Sequence, residues 1–211
     1  MLYKETVSTE FFRLIQQLCK HEELSDFVLV GGTALSLQIG HRKSIDIDLF
    51  SLTEFDSERM TEFLQSKYDF EVQTRFKNSL MGTLNNIKVD IISHKYPWIK
   101  DTFTEEGIRM ADIADIAAMK LNAIVGNGSR VKDYADIAFL SSHFSLQQML
   151  DFFEKKYPNN NSVIALKSLC YFQDINFDVD VSFQKQEVSW KQIESRIVEM
   201  VQRPQKKFLS F

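Results

Sequence analysis

Two aspartates one residue apart, Asp46 and Asp48, stand in an otherwise apolar run, SIDIDLF over residues 44–50. Side chains of an extended chain alternate between faces, so Ile45, Ile47 and Leu49 are expected to point one way and the two carboxylates the other. Two carboxylates about 4 Å apart at an effective dielectric near 20 repel by roughly 4 kcal/mol. A cation between them removes that penalty. A hard divalent ion such as Mg2+ takes oxygen ligands and is commonly shared between a few carboxylates and substrate phosphates, which suits the pair. The plain alternative is an exposed strand face with two solvated aspartates.

Further residues bear on this choice. Gly31, Gly32 and Thr33 follow the apolar run FVLV, so the chain can turn tightly at a strand end. Free N–H groups and a hydroxyl would then face an anion at a helix start, the makings of a phosphate seat, although a simple turn with a helix cap uses the same residues. In IKVDII, Asp90 breaks another apolar context and shares a strand face with Lys88, where it could add a third carboxylate to the same ion. On the helix DIADIAAMKLNAIV, Lys120 lies about 140° from Asp115, among Ile113, Ala117 and Ile124. Its stem either snorkels to water or carries the ammonium to a buried anion such as a triphosphate. Arg130, Lys132, Asp133 and Asp136 open the next helix with spacings that permit solvated intrahelical ion pairs, 130 to 133 and 132 to 136. His41, Arg42 and Lys43, just before the acidic run, read either as phosphate contacts or as a solvated basic loop.

The elements that must position these groups follow from periodicity. Helical spacing of Phe11, Leu14, Ile15 and Leu18 predicts a helix over about 6–24, and residues 34–39 form a short second helix. Strands are expected at 27–30 and 44–50, then in FEVQTRF, SLMGTLN and IKVDII, with a helix over 57–68 and a hairpin turn at Asn85-Asn86. Beyond Pro97 strands largely stop, and helices are expected near 112–126, 130–143, 145–157, 162–172 and 189–202. The fold class is therefore α+β, a small mixed sheet flanked by helices and followed by a helical bundle, with a seam between 97 and 111.

Composition agrees with a folded chain. The 211 residues are 44% hydrophobic, and 18 phenylalanines against 7 glycines and 3 prolines point to filled interiors and economical loops. A net charge of −4 provides no general attraction to nucleic acid, so such a partner would need a local basic patch. The basic run at 203–208 is expected to be a solvated tail. No apolar leader or membrane-spanning run is visible, so the expected compartment is the cytoplasm. Cys19 and Cys170 are too far apart for a metal or redox motif and are expected to be buried thiols.

The order strand, Gly-Gly, helix, Asp-x-Asp, later Asp resembles the DNA polymerase β-type nucleotidyltransferase superfamily; here thirteen residues separate V-G-G from D-I-D. More closely, LVGGTALSLQIGHRKSIDIDLF with DIAAMKLNAIVGNGSRVKDYADIAFL is similar to the AbiEii/AbiGii toxin-like nucleotidyltransferases of abortive-infection and toxin–antitoxin systems. The resemblance covers about residues 25–140 and implies a nucleotidyltransferase core over 1–105 with a helical domain, 106–211, packed against it. It also implies Mg2+, two ions when NTP is bound, on Asp46, Asp48 and Asp90, and phosphates seated by Gly31, Gly32 and Thr33 with Arg42 and Ser44 at the nucleotide. Lys120 would grip the triphosphate, Asp133 would be a further active-site carboxylate, and Asp136 would support it. The implied reaction moves an NMP from an NTP to a hydroxyl acceptor such as the tRNA 3′ end, under the control of a cognate antitoxin. The alternatives are a small-molecule nucleotidyltransferase and an inactive nucleotide- or partner-binding module. Residues from 144 onward carry no motif of that family.

Overall fold

In the computed structural model, which describes residues 1–211, Ser8 caps the first helix, α1 (Thr9–Leu18), by accepting a hydrogen bond from the Phe11 amide. The helix is shorter than its periodicity suggested, with 3-10 turns at Lys4–Thr6 and Glu22–Leu24 beyond its ends. Arg109 holds the segment that follows. Its guanidinium donates to the carbonyls of Cys19 (2.6 Å), Leu24 (2.6 Å) and Phe27 (3.2 Å), which lie in the stretch after α1.

The chain then lays down β1 (Val28–Leu29), α2 (Gly31–Ile39), β2 (Ile47–Ser51), α3 (Ser57–Lys67), β3 (Phe70–Phe76), β4 (Ser79–Leu84) and β5 (Ile87–Ser93). Asn85 and Asn86 take φ of 51° and 64°, the paired left-handed conformations of a two-residue hairpin turn joining β4 to β5. A second hairpin, β6 (Phe103–Glu105) and β7 (Ile108–Met110), was not expected from the sequence; Glu106 and Gly107 form its turn with φ of 51° and 80°. The sheet order is β3-β4-β5-β2-β1-β7-β6, with β2 parallel to β5, β1 antiparallel to β2, and β7 parallel to β1. Ile47, Leu49, Val89, Ile91, Leu80, Leu84 and Leu29 are all buried, which fixes the core face of the sheet. Ile45 departs from the expected alternation. It precedes the first ladder residue, Ile47, and is 67% exposed.

Residues Met1–Gly40, Ser44–Pro97 and Asp101–Ala111 make one compact unit. The break after Ala111 keeps both strands of the β6–β7 hairpin in this unit. His41–Lys43, Trp98–Lys100 and Asp112–Phe211 make the second unit, built on α4 (Ile113–Gly126), α5 (Val131–Leu140), α6 (Leu146–Lys156), α7 (Ser162–Leu169) and α8 (Trp190–Gln202).

Two short segments are stitched into the helical unit. Lys43 donates its amide to Ser182 O (2.8 Å) and Gln184 its amide to His41 O (3.1 Å), around an antiparallel bridge between Arg42 and Phe183. Ile99 and Lys100 donate their amides to the Asp115 carboxylate, which also takes the fully buried Lys156 ammonium at 2.7 Å, beneath the Trp98 ring. The connection from α7 to α8, residues 170–189, is a long irregular strap rather than the economical loop expected from composition. Cys19 is buried as expected, but Cys170 lies on that strap and is exposed. No helix is long and apolar enough to cross a membrane.

Candidate active site

The parallel pairing of β2 with β5 sets Ile47 beside Val89, Asp48 beside Asp90 and Leu49 beside Ile91. The apolar partners are buried on the core face, so the two aspartates stand together on the opposite face, each partly exposed. Asp46 precedes the strand by one residue and is likewise partly exposed. Lys88 places its ammonium 2.8 Å from Asp90 Oδ2. Burial disfavours the Lys88 charge, but the bond to Asp90 and the fields of Asp90, Asp48 and Asp46 outweigh it and raise the pKa. The other oxygen, Asp90 Oδ1, is buried and accepts no hydrogen bond. As they stand, no three acidic, histidine or cysteine side chains enclose a metal position by themselves.

Gly31 ties this acidic edge to α2. It is the first residue of the helix, with φ +69°, and a Cβ there would lie 2.9 Å from Asp48 Cγ and nearer still to Oδ2. Only glycine tolerates both the backbone conformation and the carboxylate against it. Val30 provides no side-chain cap, and the first-turn amides of a helix have no intrahelical acceptor, so this end is favourable to negative charge. The Gly-Gly pair thus opens the helix itself rather than forming a turn before it. Thr33 is fully buried; its hydroxyl donates to the Asp46 carbonyl and shares a 2.8 Å hydrogen bond with the Ser44 hydroxyl. Thr33 and Ser44, expected at the nucleotide, are thereby engaged in holding the chain that carries Asp46.

The remaining expected residues gather in the helical unit. Lys120 does not snorkel: it is buried, with Nζ 2.6 Å from Asp133 Oδ1 and 2.7 Å from Asp136 Oδ2. Asp136 also takes Arg42 Nε (2.6 Å) and Nη2 (3.0 Å) and faces His41 Nε2 at 2.8 Å. A solvated Lys132–Asp136 pair is therefore replaced by a sealed one, because α5 turns Asp133 and Asp136 inward. Arg130 sits 2.7 Å from Asp133 Oδ2 but is not aligned as a hydrogen bond, so that contact is ionic. Arg42, expected at the nucleotide, has its guanidinium occupied by Asp136.

The electrostatics follow from this packing. Burial alone would raise the Asp136 pKa, yet the Arg42 and Lys120 charges and the His41 and Arg42 hydrogen bonds hold it well below the usual carboxylate range. Burial lowers the His41 pKa despite its bond to Asp136, and the Arg42 and Lys120 charges add to that lowering. Burial lowers the Lys120 pKa, but Asp133 and Asp136 reverse it, leaving a raised value and a firmly charged ammonium.

The expected residues therefore fall into two constellations: Gly31, Gly32, Thr33, Ser44, Asp46, Asp48 and Asp90 in the sheet unit, and Arg42, Lys120 and Asp133 in the helical unit. Sequence reasoning missed Lys88 as a counter-charge, although its two-residue spacing from Asp90 was the available signal. It also missed the Arg42–Asp136 bond, which spans 94 positions and leaves no local signature.

Residues 13–209 match the family model of the nucleotidyl transferase AbiEii toxin, type IV toxin–antitoxin system. An uncharacterized protein of Aquifex aeolicus, aq_aa25, is 34% identical over 176 residues, 81% of this chain and 84% of that protein. Among solved structures, JHP933 from Helicobacter pylori is similar in fold at a TM-score of 0.56 and 19% identity, covering 96% of this chain and 92% of that one. A further H. pylori structure, described as a candidate nucleotidyltransferase, has the same TM-score and identity over 92% and 91% of the two chains.

Proposed function

Because this chain belongs to the AbiEii nucleotidyltransferase toxin family, we propose that it transfers an NMP from an NTP to a hydroxyl acceptor with Mg2+ on Asp46, Asp48 and Asp90. The observation that carries the metal reading is the register of Asp48 with Asp90, beside a buried Asp90 Oδ1 that no donor satisfies. Such an oxygen is costly to leave unpaired, and a hard cation is the partner it lacks. The donor set, carboxylates alone, fits Mg2+ rather than a softer metal. When bound, the ion would polarise the α-phosphate and offset the charge of the departing pyrophosphate.

The chain's own groups supply the rest. Uncapped amides at the start of α2 offer donors to a phosphate. Lys120, paired with Asp133 and Asp136, is the ammonium we assign to a phosphate oxygen. Asp133 and Asp136 aim that ammonium; Arg42 and His41 hold Asp136 in turn. Asp90 is the group we assign to accept the acceptor's proton. The family supports an antitoxin partner, and RNA, tRNA included, is the acceptor class we favour within it.

Incubation of the purified chain with each α-labelled NTP, Mg2+ and total tRNA tests this. Label is expected on RNA, with a loss of about 10^3-fold for Asp46→Ala, the scale of removing one transition-state stabilising group. Label on a small molecule instead would move the acceptor out of the RNA class. Absence of transfer to RNA, protein or small molecule, or an Asp46→Ala variant as active as its parent, would overturn the proposal.

A further inference from the structure

We propose that Lys88 is a built-in counter-cation of the acidic edge, standing in for the metal and giving way when a divalent ion binds. The inference rests on the metal-binding reading above and adds a residue that sets how readily the ion is taken up. Lys88 lies two residues before Asp90 on β5, so both side chains leave the same face of the strand. Its ammonium is 2.8 Å from Asp90 Oδ2, where it offsets part of the repulsion among Asp46, Asp48 and Asp90. Continuing the β2–β5 register back by one step from Ile47 and Val89 brings Asp46 alongside Lys88.

Lys88 and Lys120 differ in their freedom to leave their carboxylates. Lys120 is buried between two carboxylates, with 10% of its side chain exposed, whereas 51% of the Lys88 side chain is open to water. A displaced Lys88 ammonium can therefore rehydrate without crossing the protein interior. An ion that binds Asp90 must compete with it for Oδ2, while Oδ1 remains ready to accept. Lys88 thus protects the metal-free edge from its own charge and weakens the site for a divalent ion.

The test is metal binding without NTP, with Mn2+ followed by electron paramagnetic resonance, in the full chain and in Lys88→Met, Lys88→Gln and Lys88→Arg. Lys88→Met and Lys88→Gln are expected to bind at least about tenfold tighter than the parent, equivalent to about 1.4 kcal/mol, and Lys88→Arg to stay near it. In EDTA, Lys88→Met is expected to melt at a lower temperature than the parent and to recover in saturating Mg2+. Parent and Lys88→Met affinities within about twofold would overturn the role of Lys88 while leaving the metal site standing. Failure of both to bind Mn2+ would overturn the metal reading and this inference with it.

Discussion

On the sheet, one ammonium pairs with Asp90 in the field of Asp46 and Asp48, and all three carboxylates remain in contact with water; in the helical unit, two carboxylates share three cations and are almost sealed. The first group, Asp46, Asp48 and Asp90 with Lys88, has negative charge left over and an unsatisfied oxygen. The second, Asp133 and Asp136 with Lys120, Arg42 and Arg130, has positive charge left over. The first constellation is short of positive charge and the second has an excess of it. The difference also bears on stability. A carboxylate at the open edge tolerates replacement because water compensates it, whereas removing one member of the sealed group strands its partners.

That contrast is most sharply tested by removing its central anion. Asp136→Ala is expected to cost about 3–5 kcal/mol in urea denaturation, since it leaves Arg42 and Lys120 buried without their carboxylate. The partly exposed Asp46→Ala is expected to stay within about 0.5 kcal/mol of the parent in the same measurement. Equal losses would erase the distinction. Gly31→Ala comes next, at about 1–2 kcal/mol, because its φ of +69° is strained for any side chain. The added methyl also pushes on the Asp48 carboxylate, so weaker Mn2+ binding should accompany the stability loss; a variant that loses stability alone would detach Gly31 from the site.

The smallest effect is expected from His41. Its folded pKa is held below the ordinary 6.5, so the unfolded chain takes up a proton that the folded chain refuses. Stability therefore falls as pH drops below about 6.5 and levels off once the folded value is passed. In His41→Gln that slope should flatten, by about 1 kcal/mol or less between about pH 7.5 and pH 5.5, as read from urea midpoints. An unchanged slope would place the proton uptake elsewhere.

Much of the sheet was legible because its strands are long and alternate. Residues 70–76, 79–84 and 87–93 are strands as expected, and the two asparagines between the last pair make the turn. The β6–β7 hairpin escaped because three-residue strands such as FTE and IRM carry no measurable period. At the site, Asp46, Asp48 and Asp90 announced themselves as charges in apolar strands. The surroundings of Lys120 did not, since a helical wheel shows which side a residue faces but not what meets it. Its partners Asp133 and Asp136 read locally as surface charges, and Arg42 as part of a basic loop, until α5 and the 41–43 segment were seen packed together. Cys170 shows the same limit, exposed on a strap whose course no periodicity describes.

The pairing of β2 with β5 has one more implication. A slip of one residue would replace Asp90 beside Asp48 with Val89 or Ile91 and turn a pair of carboxylates into a carboxylate facing a hydrocarbon. What forbids the slip is the greasy side of the same strands, where Ile47, Leu49, Val89 and Ile91 interlock. The alignment of the two carboxylates is thus written into four aliphatics on the opposite face of the sheet.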